Sequence, residues 1–293
     1  MDEPTQGQHP SVGVDSLLPA EMALKAEQVG LAKASMTFGK TFTLAVLAGA
    51  FIALGAAFST TVTTGATALP FGVGRLLGGL AFCLGLILVI VAGAELFTGN
   101  TLIVMAWAGG RVGTAKILRN WIIVYLGNLA GSLGTAALVL AAGQHGLGAG
   151  AVGLNALNLA QAKCSLDFLP ALASGVLCNT LVCLAVWLCY SARTVSDRVL
   201  AIIFPITAFV ASGFEHSVAN MYFIGAGLGI KALAGEGFWR AVSRAPADFP
   251  QLTWPNFLLA NLLPVTLGNL IGGTVLVGLV YWFVFLRGRG QGR

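Results

Sequence analysis

The stretch Phe209–Met221, FVASGFEHSVANM, decides how the rest of the chain is read. Between Arg198 and Lys231 the single Asp, Glu, Lys or Arg is Glu215, and His216 follows it directly. An ionisable pair inside a segment long enough to cross a bilayer is costly and marks a functional site. Ser212, Gly213, Ser217 and Asn220 surround the pair and weaken a continuous helix there. A broken helix at membrane depth persists only where its backbone is buried in protein or lines a polar cavity. The stretch therefore reads as half of a pore wall.

The surroundings agree. Of the 293 residues, 57% are hydrophobic and only 9% charged, and mean hydropathy is +0.85. Soluble domains average about 25% charged residues, so this is an integral membrane protein. The 39 glycines allow close helix–helix approach in a bilayer. The net charge of +5 is no nucleic-acid signal, because the bases are scattered at membrane-flanking positions. Cys83, Cys164, Cys178, Cys183 and Cys189 form no CxxC or Cys/His metal pattern and read as small buried hydrophobes. No cofactor is called for.

Spans of about 20 apolar residues fall at Thr41–Thr63, Leu76–Ala108, Ala115–Gly143, Phe168–Ala192, Val199–Ile230 and Asn256–Leu286. The second carries one charge, Glu95, and is interrupted at LFTGN, Leu96–Asn100; the fifth is interrupted at the opening motif. Residues 1–40 read as a polar tail followed by an amphipathic helix lying on the membrane surface, a pattern suited to the interface. Their acids and bases, with no apolar core region, argue against a cleavable signal peptide. Gln144–Gln161 is Gly/Asn-rich and reads as a loop; Lys231–Pro255, with Trp239 and Trp254, reads as a longer one near the interface. Residues 287–293 are a short basic tail. Six spans place both ends on one side. Eleven Lys and Arg residues then lie on the side of the termini against five on the other, so the positive-inside rule puts both termini in the cytoplasm.

LGNLAGS at Leu126–Ser132 and LGNLIGG at Leu267–Gly273 are near-copies, one in the third span and one in the sixth. With the second and fifth spans both broken, the chain reads as two three-span halves, about 41–145 and 168–286. An odd number of spans per half requires opposite orientations. Inverted repeats with broken helices mark transport proteins, with the path at the repeat interface. Each break starts a new half-helix whose free N–H groups and dipole attract anions. Thr98 stands at the first break, where its hydroxyl either caps the helix or faces a permeating oxygen. His216 stands at the second, so the two could meet across one pore. Glu215 can pin the broken helix by accepting hydrogen bonds. Lys163, the one base between spans three and four, would raise the local anion concentration if it faced the path.

At these residues the chain resembles the formate/nitrite transporter family, most closely its formate-channel branch. The similarity runs from about Leu17 to Leu286. It is carried by LLPAEMA, TTGATALPFG at Thr63–Gly72, GAELFTGN at Gly93–Asn100, GVLCNTLVCLAVW at Gly175–Trp187, ASGFEHSVANM at Ala211–Met221, APADFPQLTWPNF at Ala245–Phe257 and NLLPVTLGNLIGG at Asn261–Gly273. Gly99 and Asn100 after Thr98 follow the wider family rather than its best-known formate channels. The resemblance implies a homopentamer in the bacterial inner membrane, with an aquaporin-like protomer and one pore per protomer. It implies His216 and Thr98 as the central polar pair, Glu215 behind the histidine, Lys163 in the vestibule, and Asn179 and Asn269 as pore asparagines. Phe82, Leu86, Leu96 and Phe209 match two apolar constrictions, and Leu17–Lys40 matches a helix at the cytoplasmic mouth, where a cytoplasmic formate-metabolising enzyme is the partner to expect.

The expected function is transport of formate, a small monovalent weak-acid anion. A bare anion is expensive inside an apolar ring, and His216, with an ordinary pKa of about 6.5, is the natural proton donor. Nitrite, hydrosulfide, lactate and acetate are alternatives on the same fold. A hydrolase pairing Ser132 or Ser212 with His216 lacks a nucleophile motif and a third orienting group. A water or glycerol pore lacks its paired NPA motifs.

Overall fold

The computed structural model describes residues 16–290. In chain order the helices are α1 (Pro19–Ala34), α2 (Phe38–Thr63), α3 (Phe71–Ala92), α4 (Phe97–Ala108), α5 (Thr114–Ala141), α6 (Ala151–Cys164), α7 (Phe168–Ser191), α8 (Val195–Ser212), α9 (Ser217–Leu233) and α10 (Asn256–Phe285). Six of them, α2, α3, α5, α7, α8 and α10, are long and apolar enough to cross a membrane. The shortest, α8, has 18 residues and reaches about 27 Å at 1.5 Å per residue. The second crossing is α3 followed by α4, and the fifth is α8 followed by α9. Most of the polar tail expected at the amino terminus lies outside the described residues.

The breaks are built alike. α3 ends on Gly93 at φ +80°, and α8 ends on Gly213 at φ +77°. Both glycines take the left-handed conformation that closes a helix without a Cβ clash. Three residues further on the chain is extended, at Leu96 and at His216, and a new helix begins. The first interruption therefore lies at Gly93–Leu96. The LFTGN motif expected to break the span instead opens the half-helix after it.

Two segments differ from the sequence reading. Ala151–Cys164 is helical rather than a loop. Its Gly and Asn residues mask a buried face of Val152, Leu157, Ala160 and Cys164, which packs along α9. α1 rests on protein rather than on the membrane surface. Its Met22, Ala23, Ala26, Gly30 and Ala34 are buried against α4, α7 and α10. Small residues on one face let it settle into the mouth of the bundle. The long loop after α9 contains a short helix, Glu236–Ala241, and is tied back by Lys231, whose ammonium donates to Phe249 O at 2.7 Å and Leu252 O at 2.9 Å.

The LGN repeats explain how α2 meets α5 and how α7 meets α10. A Cβ on Gly131 would strike the backbone of Val46 and Ala50, and one on Gly268 would strike the backbone of Leu172 and Val176. Backbone thus lies on backbone at both crossings, which suits a bilayer where lipid tails remove the hydrophobic drive between helices. All five cysteines are buried and unpaired. Replacing Gly131 or Gly268 by valine should lower the unfolding temperature in detergent by the equivalent of at least about 2 kcal/mol, because main chain cannot yield as a side chain does. Gly134→Ala, where an added Cβ meets nothing within 4 Å, should leave it unchanged.

Candidate functional site

The two breaks bring Thr98 and His216 together. Thr98 Oγ1 lies 2.9 Å from His216 Nε2, and both residues are buried. The other imidazole nitrogen, Nδ1, accepts the backbone N–H of Ala219 at 3.0 Å and so caps the first turn of α9. An acceptor at Nδ1 leaves the proton of a neutral ring on Nε2. Nε2–H therefore donates to the threonine oxygen, and the Thr98 hydroxyl keeps its own proton for another acceptor.

Apolar rings flank the pair. Phe82 and Phe209 meet edge to face at 5.6 Å, and Phe209 stacks on His216 at 5.9 Å. Both phenylalanines border a cavity of about 660 Å³ that also touches Arg75, Lys163, Glu215 and His216. Leu86 and Leu96 border a second cavity of about 300 Å³, with Lys25, Lys33, Glu95, Gly99 and Arg198. The Thr98–His216 bond thus sits between a Lys163 vestibule and a Lys33 vestibule, with aromatic residues on one side and leucines on the other.

A polar scaffold holds each break, and the two share one plan, differing in that Lys33 also donates to Asn100 Oδ1 and Asn261 also reaches Glu215 Oε2. Lys163 Nζ reaches Glu215 Oε1 at 2.7 Å, and Lys33 Nζ reaches Glu95 Oε1 at 2.8 Å. Asn220 Nδ2 donates to Glu215 Oε2 at 2.6 Å, and Asn100 Nδ2 donates to Glu95 Oε2 at 2.7 Å. Those asparagines also donate to Asn261 Oδ1 and Asn120 Oδ1 at 2.8 and 3.0 Å. Asn261 and Asn120 in turn donate to the carbonyls of Lys163 and Lys33. One more asparagine ties each new half-helix to a span. Asn269 Oδ1 accepts Ser217 N–H while its Nδ2 donates to Gly175 O and Glu215 O. Asn128 Oδ1 accepts Phe97 N–H while its Nδ2 donates to Ala45 O and Glu95 O.

The residues singled out from the sequence take distinct places. Thr98 and His216 form the centre. Glu215 and Lys163 are paired to each other, so the glutamate pins the break and the lysine charge is compensated at close range. Asn179 and Asn269 are fully buried and line neither vestibule. Asn179 Nδ2 donates to Asn269 O at 2.6 Å and lies 3.3 Å from Thr98 O, so it fixes the backbone that presents the threonine. None of their partners Lys33, Glu95, Asn100, Asn120, Asn128, Asn220 and Asn261 was singled out as a site residue from the sequence. A signal was present: Glu95 and Glu215 each precede an asparagine by five residues, and AKAS at Ala32–Ser35 parallels AKCS at Ala162–Ser165.

A formate/nitrite transporter family model matches residues 20–283. The chain belongs to that family. It is 48% identical over 273 residues to the formate channel FocA of Escherichia coli K12, covering 93% of this chain and 96% of that protein. It is 42% identical over 264 residues to FocA of Haemophilus influenzae, covering 90% and 93%. Among solved structures it is similar to a pentameric formate channel with formate bound, at TM-score 0.82 and 47% identity, covering 85% of this chain and 98% of that one. An FNT family ion channel aligns at TM-score 0.76 and 29% identity, covering 90% and 98%. These relatives are channels, which agrees with the expectation of a transport protein rather than an enzyme.

Breaking a buried ion pair by removing one partner costs about 3–5 kcal/mol, whereas replacing both partners is far less damaging. Lys163→Met alone should therefore depress the unfolding temperature strongly. The Lys163→Met/Glu215→Gln double variant should recover most of the loss. A thermal double-mutant cycle in detergent measures the coupling.

Proposed function

We propose that this protein is a multi-pass formate channel of the bacterial cytoplasmic membrane, assembled as a homopentamer with one path through each protomer. The observation that carries the reading is the Thr98–His216 hydrogen bond between two vestibules at the meeting point of two half-helices. The high identity to formate channels, one of them solved as a pentamer with formate bound, supplies the substrate class and the assembly. The charge asymmetry of the loops supports an orientation with the Lys33 vestibule toward the cytoplasm. The exposed face of α1, with Glu21 and Gln28, is where a cytoplasmic formate-metabolising enzyme would meet the channel. The two inverted halves correspond to residues 41–145 and 168–286, each preceded by a helix carrying its lysine, α1 and α6.

The geometry suggests how an anion crosses the narrow centre. A formate oxygen that reaches the pair accepts the Thr98 hydroxyl proton in a hydrogen bond, and His216 Nε2–H behind it polarises that hydroxyl. Hydrogen bonds to charged groups contribute about 1.5–3 kcal/mol, while stripping water from a carboxylate costs several kcal/mol. The pair therefore offsets part of the penalty, and the dipoles of α4 and α9, whose N-terminal ends meet here, add to it. Protonating His216 to imidazolium would turn Nδ1 from acceptor to donor against Ala219 N–H. The histidine in this arrangement thus works as a neutral donor. A neutral ring has no second proton to give up, so in this arrangement the Nε2–H···Oγ1 line solvates the anion by hydrogen bonding rather than protonating it.

Formate uptake into proteoliposomes tests the reading. His216→Phe and Thr98→Val should each reduce flux at least tenfold, about 1.4 kcal/mol of barrier, while Thr98→Ser, which keeps the hydroxyl, should stay within threefold of wild type. Wild-type flux for His216→Phe would overturn the assignment of the pair. A panel of formate, nitrite, hydrosulfide, lactate and acetate across pH 5 to 8 separates formate from the alternatives on this fold.

A further inference from the structure

The Lys163 vestibule is bordered by three ionised side chains, Arg75, Lys163 and Glu215. Two of them cancel. Lys163 and Glu215 are 2.7 Å apart and largely shielded, and the second carboxylate oxygen of Glu215 is taken by the amides of Asn220 and Asn261. The pair presents a short dipole to the vestibule but no net charge. Arg75 is different. Among the described residues its guanidinium has no carboxylate partner: Nε donates to Ala211 O at 2.9 Å and Nη2 to Val210 O at 2.8 Å. Both acceptors are neutral carbonyls in the last turn of α8, whose dipole end is equivalent to about half a negative charge at most. The vestibule thus keeps a net positive charge, and its source is Arg75.

Two hydrogen bonds hold the guanidinium by one edge. Of its five N–H donors, those on Nη1 and the second on Nη2 have no partner among the described residues. Gly213 makes room for the group, since a Cβ there would lie 2.9 Å from Nη2. Phe71 stacks loosely beneath it, 6.0 Å from ring centroid to Cζ. The carbonyls that Arg75 grips belong to the two residues that follow Phe209, the aromatic gate beside His216. The free N–H groups therefore sit on the segment an anion must pass before entering the apolar ring. A planar fork of donors matches a carboxylate or another small oxyanion.

We propose that Arg75 is the anion-capture residue of the Lys163 vestibule: its unpaired guanidinium edge forms a docking subsite for a small carboxylate ahead of the Phe82–Phe209 constriction. Lys163, compensated by Glu215, serves the break in α8–α9 rather than supplying the long-range attraction. The inference rests on the anion-transport reading, but it concerns the first encounter rather than the crossing.

Arg75→Lys, Arg75→Gln and wild type should be compared in proteoliposomes, with half-saturation and maximal flux measured for formate and, separately, for nitrite at about 20 and 500 mM KCl. One uncompensated charge acting across a few ångströms of water corresponds to about fivefold in local concentration. Arg75→Gln should raise the half-saturation concentration about fivefold at low salt, with maximal flux within twofold of wild type. The difference should shrink at high salt through screening. Arg75→Lys, which keeps the charge but loses the fork, should lie closer to wild type. An unchanged half-saturation concentration in Arg75→Gln overturns the proposal. So does an equal loss of maximal flux in both variants without a salt dependence, which would mark Arg75 as a brace for α8 only. If wild type conducts nitrite but not formate, the substrate reading fails while the Arg75 comparison still stands on nitrite.

Discussion

A peptide group that leaves the helical ladder at bilayer depth has no water to bond with. That constraint organises the whole molecule. Two crossings stop being helical midway, and each frees N–H and carbonyl groups where hydrocarbon would otherwise surround them. Asn128 and Asn269 answer it with the same three bonds, accepting the first N–H of the new half-helix and donating to the carbonyl of Glu95 or Glu215 and to a carbonyl of a neighbouring span. Their reach depends on glycine crossings that bring α5 onto α2 and α10 onto α7. The packing motif and the capping asparagine are one device, written as LGN in both halves.

Charge is handled by the same logic. The glutamate in each break would be intolerable alone, so each is paired with a lysine delivered by a short helix packed against the bundle, α1 or α6. The side chains of Glu95 and Glu215 are only 6% and 7% exposed, against 26% and 16% for Lys33 and Lys163. Each pair therefore turns its positive end toward a vestibule and its negative end toward the protein. An anion approaching from either mouth meets the favourable end of a dipole, then an apolar ring, then the Thr98 hydroxyl, whose proton is free.

Much of this was legible in the sequence. Hydropathy gave the six crossings, and the single charge in each broken span pointed to the breaks. LGN gave the repeat, the two breaks gave Thr98, His216 and Glu215, and motif resemblance strengthened the vestibule reading of Lys163. What stayed hidden has physical reasons. The helical register of Ala151–Cys164 was masked because glycine and asparagine, poor helix formers, occupy it; tertiary burial of Val152, Leu157 and Ala160 overrides that weak preference. The pairing of Lys33 with Glu95 spans 62 positions and follows from α1 folding back into the mouth, which local periodicity does not encode. Arg75 looked like an ordinary membrane-flanking base, and only the geometry shows that its charge has no acceptor of opposite sign among the described residues. Asn179 and Asn269 were expected to face the path because they fall on pore-associated motifs. Buried amides instead satisfy backbone, which in a broken membrane helix is the more pressing need.

The centre of the site lies where the duplication fails. Counting from the two glycine caps, Leu96 stands where His216 stands, and Val218 stands where Thr98 stands. Each half thus contributes one polar and one apolar residue to equivalent positions, and the polar ones come from opposite halves. A symmetric pair of imidazoles would put two basic rings against one another and leave no unspent hydroxyl. Two threonines would lack a ring to polarise them, and two leucines would seal the passage. The unlike pair gives one donor that is fixed by Ala219 N–H and one hydroxyl whose proton remains free. The leucine left over lines the Lys33 vestibule as part of the apolar ring there. The repeated framework of lysine, glutamate and asparagines sets the backbone at the waist on both sides, and that rigidity is what allows a single substitution on each side to create a directional hydrogen bond between them.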